Sequence, residues 1–363
     1  VVFTKEENIW RQKSNLKKMI RVAVDAMGGD FAPEVNILGA YEVVADREVE
    51  IILVGDEKKI KNFLPEKKEL KGNISIVHAE GVVRMDESVS SALRRRNTSM
   101  RKAIELLKEG RADAVISAGH SGAMMALSFL LLGKLPNVQR PAIAAVMPSL
   151  KGHFILIDAG ANVDCKPEHL VQFAFMGESY YRAIFGSESP RVALLSIGEE
   201  GSKGNELTKE AFRLLQSTNL NFTGNIEGKD IFFGSADVVV CDGFVGNIVL
   251  KVGEGLAEAL IKMLKREITE IITGRLGYMM IKPAVKSFRK KIDYSEYGGA
   301  LLVGINGTVL ICHGRSTAKA IKNAIRLSVE IIEKKIYMRI SESLSRMEDV
   351  NESQNNINRL VCS

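Results

Sequence analysis

Short apolar runs of strand length, separated almost throughout by stretches of helical periodicity, constrain this 363-residue chain more than any other feature. Ile20 to Val24, Glu50 to Val54, Ile74 to Val77, Ala114 to Ser117, Ala142 to Met147, Phe154 to Ile157, Arg191 to Ile197 and Val238 to Cys241 read as strands. Their apolar character is continuous rather than alternating, which fits a sheet buried on both faces. Between them Met100 to Lys108 (stopped by Gly110), Ser121 to Leu132, Pro167 to Phe185 and Asn205 to Gln216 read as helices. The alternation predicts an α/β fold, a three-layer α/β/α sandwich around a mostly parallel sheet. No repeat or low-complexity linker divides it, so one domain is expected over 19–340. Residues 1–18 are polar and read as an extension; 341–363 read as a polar C-terminal tail.

One segment breaks the rhythm. From Gly255 to about Lys291 no strand pattern occurs, only a helical hairpin. Ala257, Ile261, Leu264, Ile268 and Ile271 follow a four-three spacing that makes an apolar seam, which suggests a second copy of the chain as partner. Between the arms stand Leu276, Tyr278, Met279, Met280 and Ile281, and 262–291 holds nine Lys or Arg against two Glu. An apolar tip with basic flanks suits reversible contact with anionic lipid; burial at a subunit contact is the other reading. A final helix, Ser316 to about Ile336, presents Ile321, Ile325, Val329 and Ile332 on one face.

Glycine-rich polar loops fall at strand ends: Asp25–Asp30, Ser117–Gly122, Asp158–Asp164, Gly198–Glu206, Asp242–Asn247 and His313–Ser316. In doubly wound sheets ligands bind beyond the carboxyl ends of strands, and glycine lets backbone N–H groups approach an anion. Six such loops point to a phosphate-handling cleft, although each alone is ordinary turn chemistry. No P-loop, dinucleotide fingerprint or GxSxG elbow is present, and the four scattered cysteines form no CxxC pair. Anion binding without a protein nucleophile suits a reaction in which the bound anion itself attacks. The net charge of +6 favours acidic partners; with aromatics at 6% and no recognisable binding module, nucleic acid is not among them.

Taken in order, several motifs resemble the bacterial phosphate acyltransferase family of glycerolipid synthesis. They are Val24–Asp30, Arg94–Met100, Asp158–His169, Gly204–Lys209, Asp242–Asn247 and Tyr294–Ala300, within a match running from about Met19 to Ile336. The resemblance implies a fold like that of isocitrate dehydrogenase and phosphotransacetylase. It also implies reversible transfer of a fatty acyl group from acyl carrier protein to inorganic phosphate, a homodimer, and a cytoplasmic enzyme with peripheral membrane contact. The membrane glycerol-3-phosphate acyltransferase becomes a further candidate partner. No metal or other cofactor is expected. Two departures are visible: His120-Ser121 stands where the family usually has Asn-Thr, and Leu301 follows Gly-Gly-Ala.

On this reading the Gly28–Gly29 turn and the Gly119–His120–Ser121–Gly122 loop hold phosphate, together with Asn162 and Asn247. Lys203 and Asn205 orient the phosphate or stabilise the oxyanion, with Asp242 positioning Lys203. His313 or His120 protonates the leaving thiolate. Arg94 and Arg95 dock the acidic carrier. The plainer alternatives are a solvated Lys203, aspartates that cap helices, and a solvated arginine face. A phosphotransacetylase-like enzyme using acyl-coenzyme A, a nicotinamide-dependent dehydrogenase and a non-catalytic membrane scaffold are the rival readings.

Overall fold

Residues 19–64, 73–270, 277, 280–286, 288 and 296–345 are described by the structure, a computed structural model. Eleven strands join in one sheet, in the order β3-β2-β1-β4-β11-β10-β5-β6-β9-β7-β8. They are β1 (Ile20–Asp25), β2 (Val49–Gly55), β3 (Ile74–His78), β4 (Ala114–Ser117), β5 (Ala142–Ser149) and β6 (Gly152–Ile157). The rest are β7 (Val192–Ser196), β8 (Phe222–Glu227), β9 (Val238–Val240), β10 (Ala300–Val303) and β11 (Thr308–Ile311). Successive strand residues face opposite sides, as Val22 and Val24 do against Ala23 in β1. Both sides are covered, which is why the runs carry no polar alternation. Helices Glu34–Asp46, Pro167–Phe185, Glu206–Gln216 and Ala318–Glu333 pack on one face. Helices Ser99–Lys108, Ser121–Leu132 and Gly243–Glu270 pack on the other.

The expected helix starts are set by side chains that take the first orphan N–H groups. Thr98, Asn205 and Thr317 each accept from the backbone three residues on. At the far end of Pro167–Phe185, Gly186 adopts φ +72° and stops the helix.

Strand polarity divides the glycine-rich loops between the two ends of the sheet. The pairs β11–β10, β10–β5 and β5–β6 are antiparallel, and all other pairs are parallel. Strands β1, β4 and β11 therefore run opposite to β6, β9 and β7. The Asp25, Ser117 and His313 loops lie at one end of the strands; the Asp158, Asp242 and Gly198 loops lie at the other.

The arm expected from Gly255 begins earlier and runs as one helix, Gly243–Glu270. Its exposed apolar line falls at Phe244, Ile248, Val252, Leu256, Leu260 and Leu264, every fourth residue, whereas Ala257, Ile261 and Ile268 of the expected seam are half-buried. Leu276, Tyr278 and Met279 fall outside the described residues, as does Ile271. Met280 is 84% exposed and Ile281 is also exposed, both within the helical residues 280–286. The tail also begins later than expected. Residues 336–345 are helical, and Ile336, Ile340 and Leu344 are buried against the core. Among the described residues no helix is long and apolar enough to cross a membrane.

Candidate active site

The first set of loops is built around Asp25 at the end of β1. Its buried carboxylate accepts from Ser117 Oγ at 2.7 Å and from Met27 N at 3.3 Å. Burial raises its pKa, against the hydrogen bond from Ser117. Asn36 Nδ2 reaches the carbonyls of Asp25, Ala26 and Gly28 and fixes the turn. Gly28 has no room for a side chain: a Cβ there would stand 2.6 Å from Asp25 Oδ2 and 2.8 Å from Gly119 N. The expected phosphate donors Gly28 and Gly119 spend their N–H groups inside the loop, on Asp25 O and Ser117 Oγ. Gly29, at φ +104°, brings the chain against Ala118 and Gly314.

His120 caps the next helix. Its Nδ1 accepts from Ala123 N at 3.2 Å, so the imidazole does what an asparagine oxygen would do at this position. Ser121 and Gly122 form the helix start, where N–H groups and the helix dipole favour an anion. Over it lies an excursion of the chain closed by pairing of Gly81 with Thr98. The excursion brings Met85 toward Gly314, and Val89 toward Gly122. Its outer side carries exposed Arg94 and Arg96; Arg95, expected to dock the carrier, is bound to Glu87 at 3.1 Å and to the Val82 carbonyl. Glu87 in turn accepts from Ser91, so Arg95 is part of the framework of the excursion.

His313 follows β11 on the same side. Its Nδ1 accepts from Arg315 N at 3.2 Å, and its Nε2 stands 3.9 Å from Glu254 Oε2 on the long helix Gly243–Glu270. Burial lowers the pKa of His313, helped by the charges of Lys251 and Arg315 and opposed by Asp30. Burial raises that of Glu254, against Lys251. Lys251, Glu254 and Arg315 were not singled out from sequence. Arg315 lay in a flagged loop, but Lys251 and Glu254 sit inside a helix whose pattern gave no sign of a site.

The second set is anchored on Asp158. Its carboxylate accepts from the backbone of Ile143, Gly160, Ala161 and Asn162 and from Asn162 Nδ2, at 2.7–3.1 Å. Burial raises its pKa and the donors oppose it. Asn162, expected on phosphate, instead ties Asp158 to the Pro141 carbonyl. Asp242 Oδ1 accepts from Phe244 N and Val245 N and caps the long helix. Asn205 is likewise a cap, accepting from Thr208 N at 2.9 Å. Lys203 is exposed with its chain along Gly198, and Asn247 is exposed beside Gly160. Arg140, also missed, lies close enough for its charge to act on Cys165 and His169.

The two sets therefore do not converge through strand ends. The long helix links them: capped by Asp242, it reaches His313 through Glu254, twelve positions on and about 18 Å along its axis. No cysteine offers a ready thiolate in either set: burial, with Asp158 and Asp242 nearby, pushes Cys165 up to about 12, and burial pushes Cys312 up to about 12.

This is the α/β architecture of the phosphotransacetylases. A Streptococcus pyogenes phosphotransacetylase matches with TM-score 0.60 at 18% identity, covering 91% of this chain and all of that one. A Staphylococcus aureus EutD phosphotransacetylase matches with TM-score 0.54 at 18% identity, covering 93% and 97%. At such identities the likeness concerns the fold. The family is fixed by sequence: residues 20–339 match the model described as "Fatty acid synthesis protein", and the chain belongs to that family. A Thermodesulfovibrio yellowstonii protein named "Phosphate acyltransferase" is 80% identical over 345 residues, 95% of this chain and all of the relative. A Pelotomaculum thermopropionicum protein of the same name is 50% identical over 330 residues, 91% and 96%. The chain is thus a member of an acyltransferase family.

Proposed function

We propose that this enzyme transfers a fatty acyl group reversibly from acyl carrier protein to inorganic phosphate, giving acyl-phosphate for phospholipid synthesis. The observation that carries the reading is the closeness of the Gly29 turn both to Ala118, just before the Ser121 helix start, and to Gly314, beside His313 on which the charges of Lys251 and Arg315 act. That is a place to hold a small anion against an electrophile. Phosphate is then the nucleophile, in keeping with thiols that burial keeps protonated. The cations screen its repulsion from the developing oxyanion and from the acidic carrier.

The exposed Arg94 and Arg96 on the excursion beside this site favour an acidic carrier over free coenzyme A as the thioester source. The exposed line from Phe244 to Leu264 supports a homodimer through the long helix. Exposed Met280 and Ile281, next to exposed Lys282 and Lys286, support peripheral contact with anionic lipid. The test is thiol release from palmitoyl-acyl carrier protein with and without phosphate, beside palmitoyl-coenzyme A. Phosphate-dependent release from the carrier ester, with acyl-phosphate formed, is expected. Release from the coenzyme A ester alone removes the carrier assignment, and release from neither removes the reaction.

A further inference from the structure

A helix that is apolar on every side belongs in the interior of a protein. The helix Ser121–Leu132 carries no charged residue, yet only part of its circumference is covered. Ala123, Met124, Leu127 and Ser128 are buried on its inner side. On the other side two rows of i, i+4 neighbours run along the helix: Ser121, Met125, Phe129 and, beside them, Gly122, Ala126, Leu130. Met125 and Ala126 are half-buried, whereas Phe129 is 48% and Leu130 58% exposed. In these rows the one polar side chain is Ser121, at the very start. A single exposed leucine would be ordinary; a continuous apolar strip of this kind calls for an occupant.

The place where the strip begins identifies that occupant. It starts at the helix end where the acyl-transfer reading holds phosphate, so a molecule lying on it is continuous with the reacting carbon. Its first turn already has a roof: a Cβ at Gly122 would stand 3.2 Å from Val89 Cγ2 of the excursion. Beyond that roof the strip leads away from the site without meeting a charge. From Ser121 to Leu132 it extends about 17 Å along the helix axis, a span that a long acyl chain fills and a short one does not.

We infer that the acyl chain of the thioester, and of the acyl-phosphate made from it, lies along this strip, from Ser121 at the reacting end past Met125 to Phe129. This rests on the acyl-transfer reading above. Acyl-phosphate is an amphiphile, and the helix matches it pole for pole: N–H groups at the start for the anion, apolar side chains along the flank for the chain. Each methylene taken out of water there strengthens binding by up to roughly fourfold. Met125, one turn from Ser121, meets chains of every length; Phe129, a further turn on, meets the long ones. Phe129 is thereby a determinant of chain-length preference. The exposed line on the long helix starts at Phe244, beside the Asp242 loop at the other end of the strands, and belongs to a different surface.

The experiment measures phosphate-dependent thiol release from palmitoyl- and octanoyl-acyl carrier protein by wild type, Phe129→Asp and Phe129→Leu, with thermal unfolding and sedimentation of each. The Asp variant puts a carboxylate where the far part of a long chain lies. Its ratio of kcat/KM for the palmitoyl over the octanoyl ester is expected to fall on the order of tenfold, and Phe129→Leu is expected to restore most of that ratio. An unchanged ratio in a folded Phe129→Asp overturns the inference. So does a lower sedimenting mass of that variant, because a second copy of the chain would then be what covers the strip. Failure of wild type to release thiol from either ester overturns the underlying reaction instead. If Phe129→Asp does not fold, wild type is labelled with palmitoyl-acyl carrier protein carrying a photoreactive diazirine at the last chain carbon. Label within residues 125–132 supports the assignment, and label confined to other segments overturns it.

Discussion

The loops after β1, β4 and β11 and those after β6, β7 and β9 share one sequence signature: an acidic or polar residue, glycines and a helix start. Their residues are used differently. In the second region, Asp158, Asp242, Asn162 and Asn205 have side chains committed to backbone amides or carbonyls. In the first region Asp25 is similarly committed, but the loop after β11 adds His313, on which the charges of Lys251 and Arg315 act, and 3.9 Å from it the Glu254 carboxylate, on which Lys251 also acts. A glycine-and-aspartate loop at a strand end therefore identifies a place where the chain turns tightly. The groups brought against it from elsewhere decide whether chemistry happens there.

The largest effect that could break this contrast concerns Asp158. Asp158→Ala strands four backbone N–H groups and Asn162 Nδ2, and should cost about 3–5 kcal/mol in urea unfolding. A loss under 1 kcal/mol with activity abolished would instead make Asp158 part of the chemistry. Next comes the double change Lys251→Ala with Arg315→Ala. It should raise KM for phosphate on the order of tenfold or more while the unfolding midpoint stays put; an unchanged KM would move the anion site elsewhere.

Lys203→Ala sharpens the comparison from the other side. Its exposed side chain makes the fold indifferent to the change, so a fall in turnover on the order of tenfold would bring the second region into the reaction. Near-full activity is the expected outcome, which would leave Lys203 outside the mechanism. Charge reversal of Arg94 and Arg96 should weaken the carrier substrate several-fold, most at low salt, with the coenzyme A ester less affected. Equal effects on both esters would count against carrier docking. The smallest change is at His120. His120→Ala should cost about 1 kcal/mol of stability through the lost cap, and His120→Asn should recover it. Failure of Asn to recover it would mean the imidazole does more than cap.

Much of the layered fold was legible because eight strands are apolar without interruption. The three that were missed have physical reasons. Phe222–Glu227 is an edge strand with Gly224 and Asn225 in it, so it carries little hydrophobic signal. Ala300–Val303 and Thr308–Ile311 are four residues each, too short for a period to show. Missing that hairpin had a consequence, because β10 supplies two of the antiparallel pairings that turn one half of the sheet against the other. Helix Glu34–Asp46 was obscured by Gly39, required because a Cβ there would stand 2.8 Å from Ile321 Cβ on the helix it packs against.

The candidate site was legible where it is made of contiguous loops and opaque where it is made of contacts. His120 and Ser121 were flagged for breaking the family pattern, and the hydrogen bond to Ala123 shows how His120 satisfies the same local need. Glu254 could not be flagged: in sequence it is one polar residue in an amphipathic helix, and only its approach to His313, 59 positions away, distinguishes it.

The most direct measurement of the central claim is phosphate-dependent release of free thiol from palmitoyl-acyl carrier protein, with palmitoyl-coenzyme A alongside. The account predicts rapid release from the carrier ester, dependent on phosphate and accompanied by acyl-phosphate. Release that ignores phosphate, or no release from either ester, would contradict it.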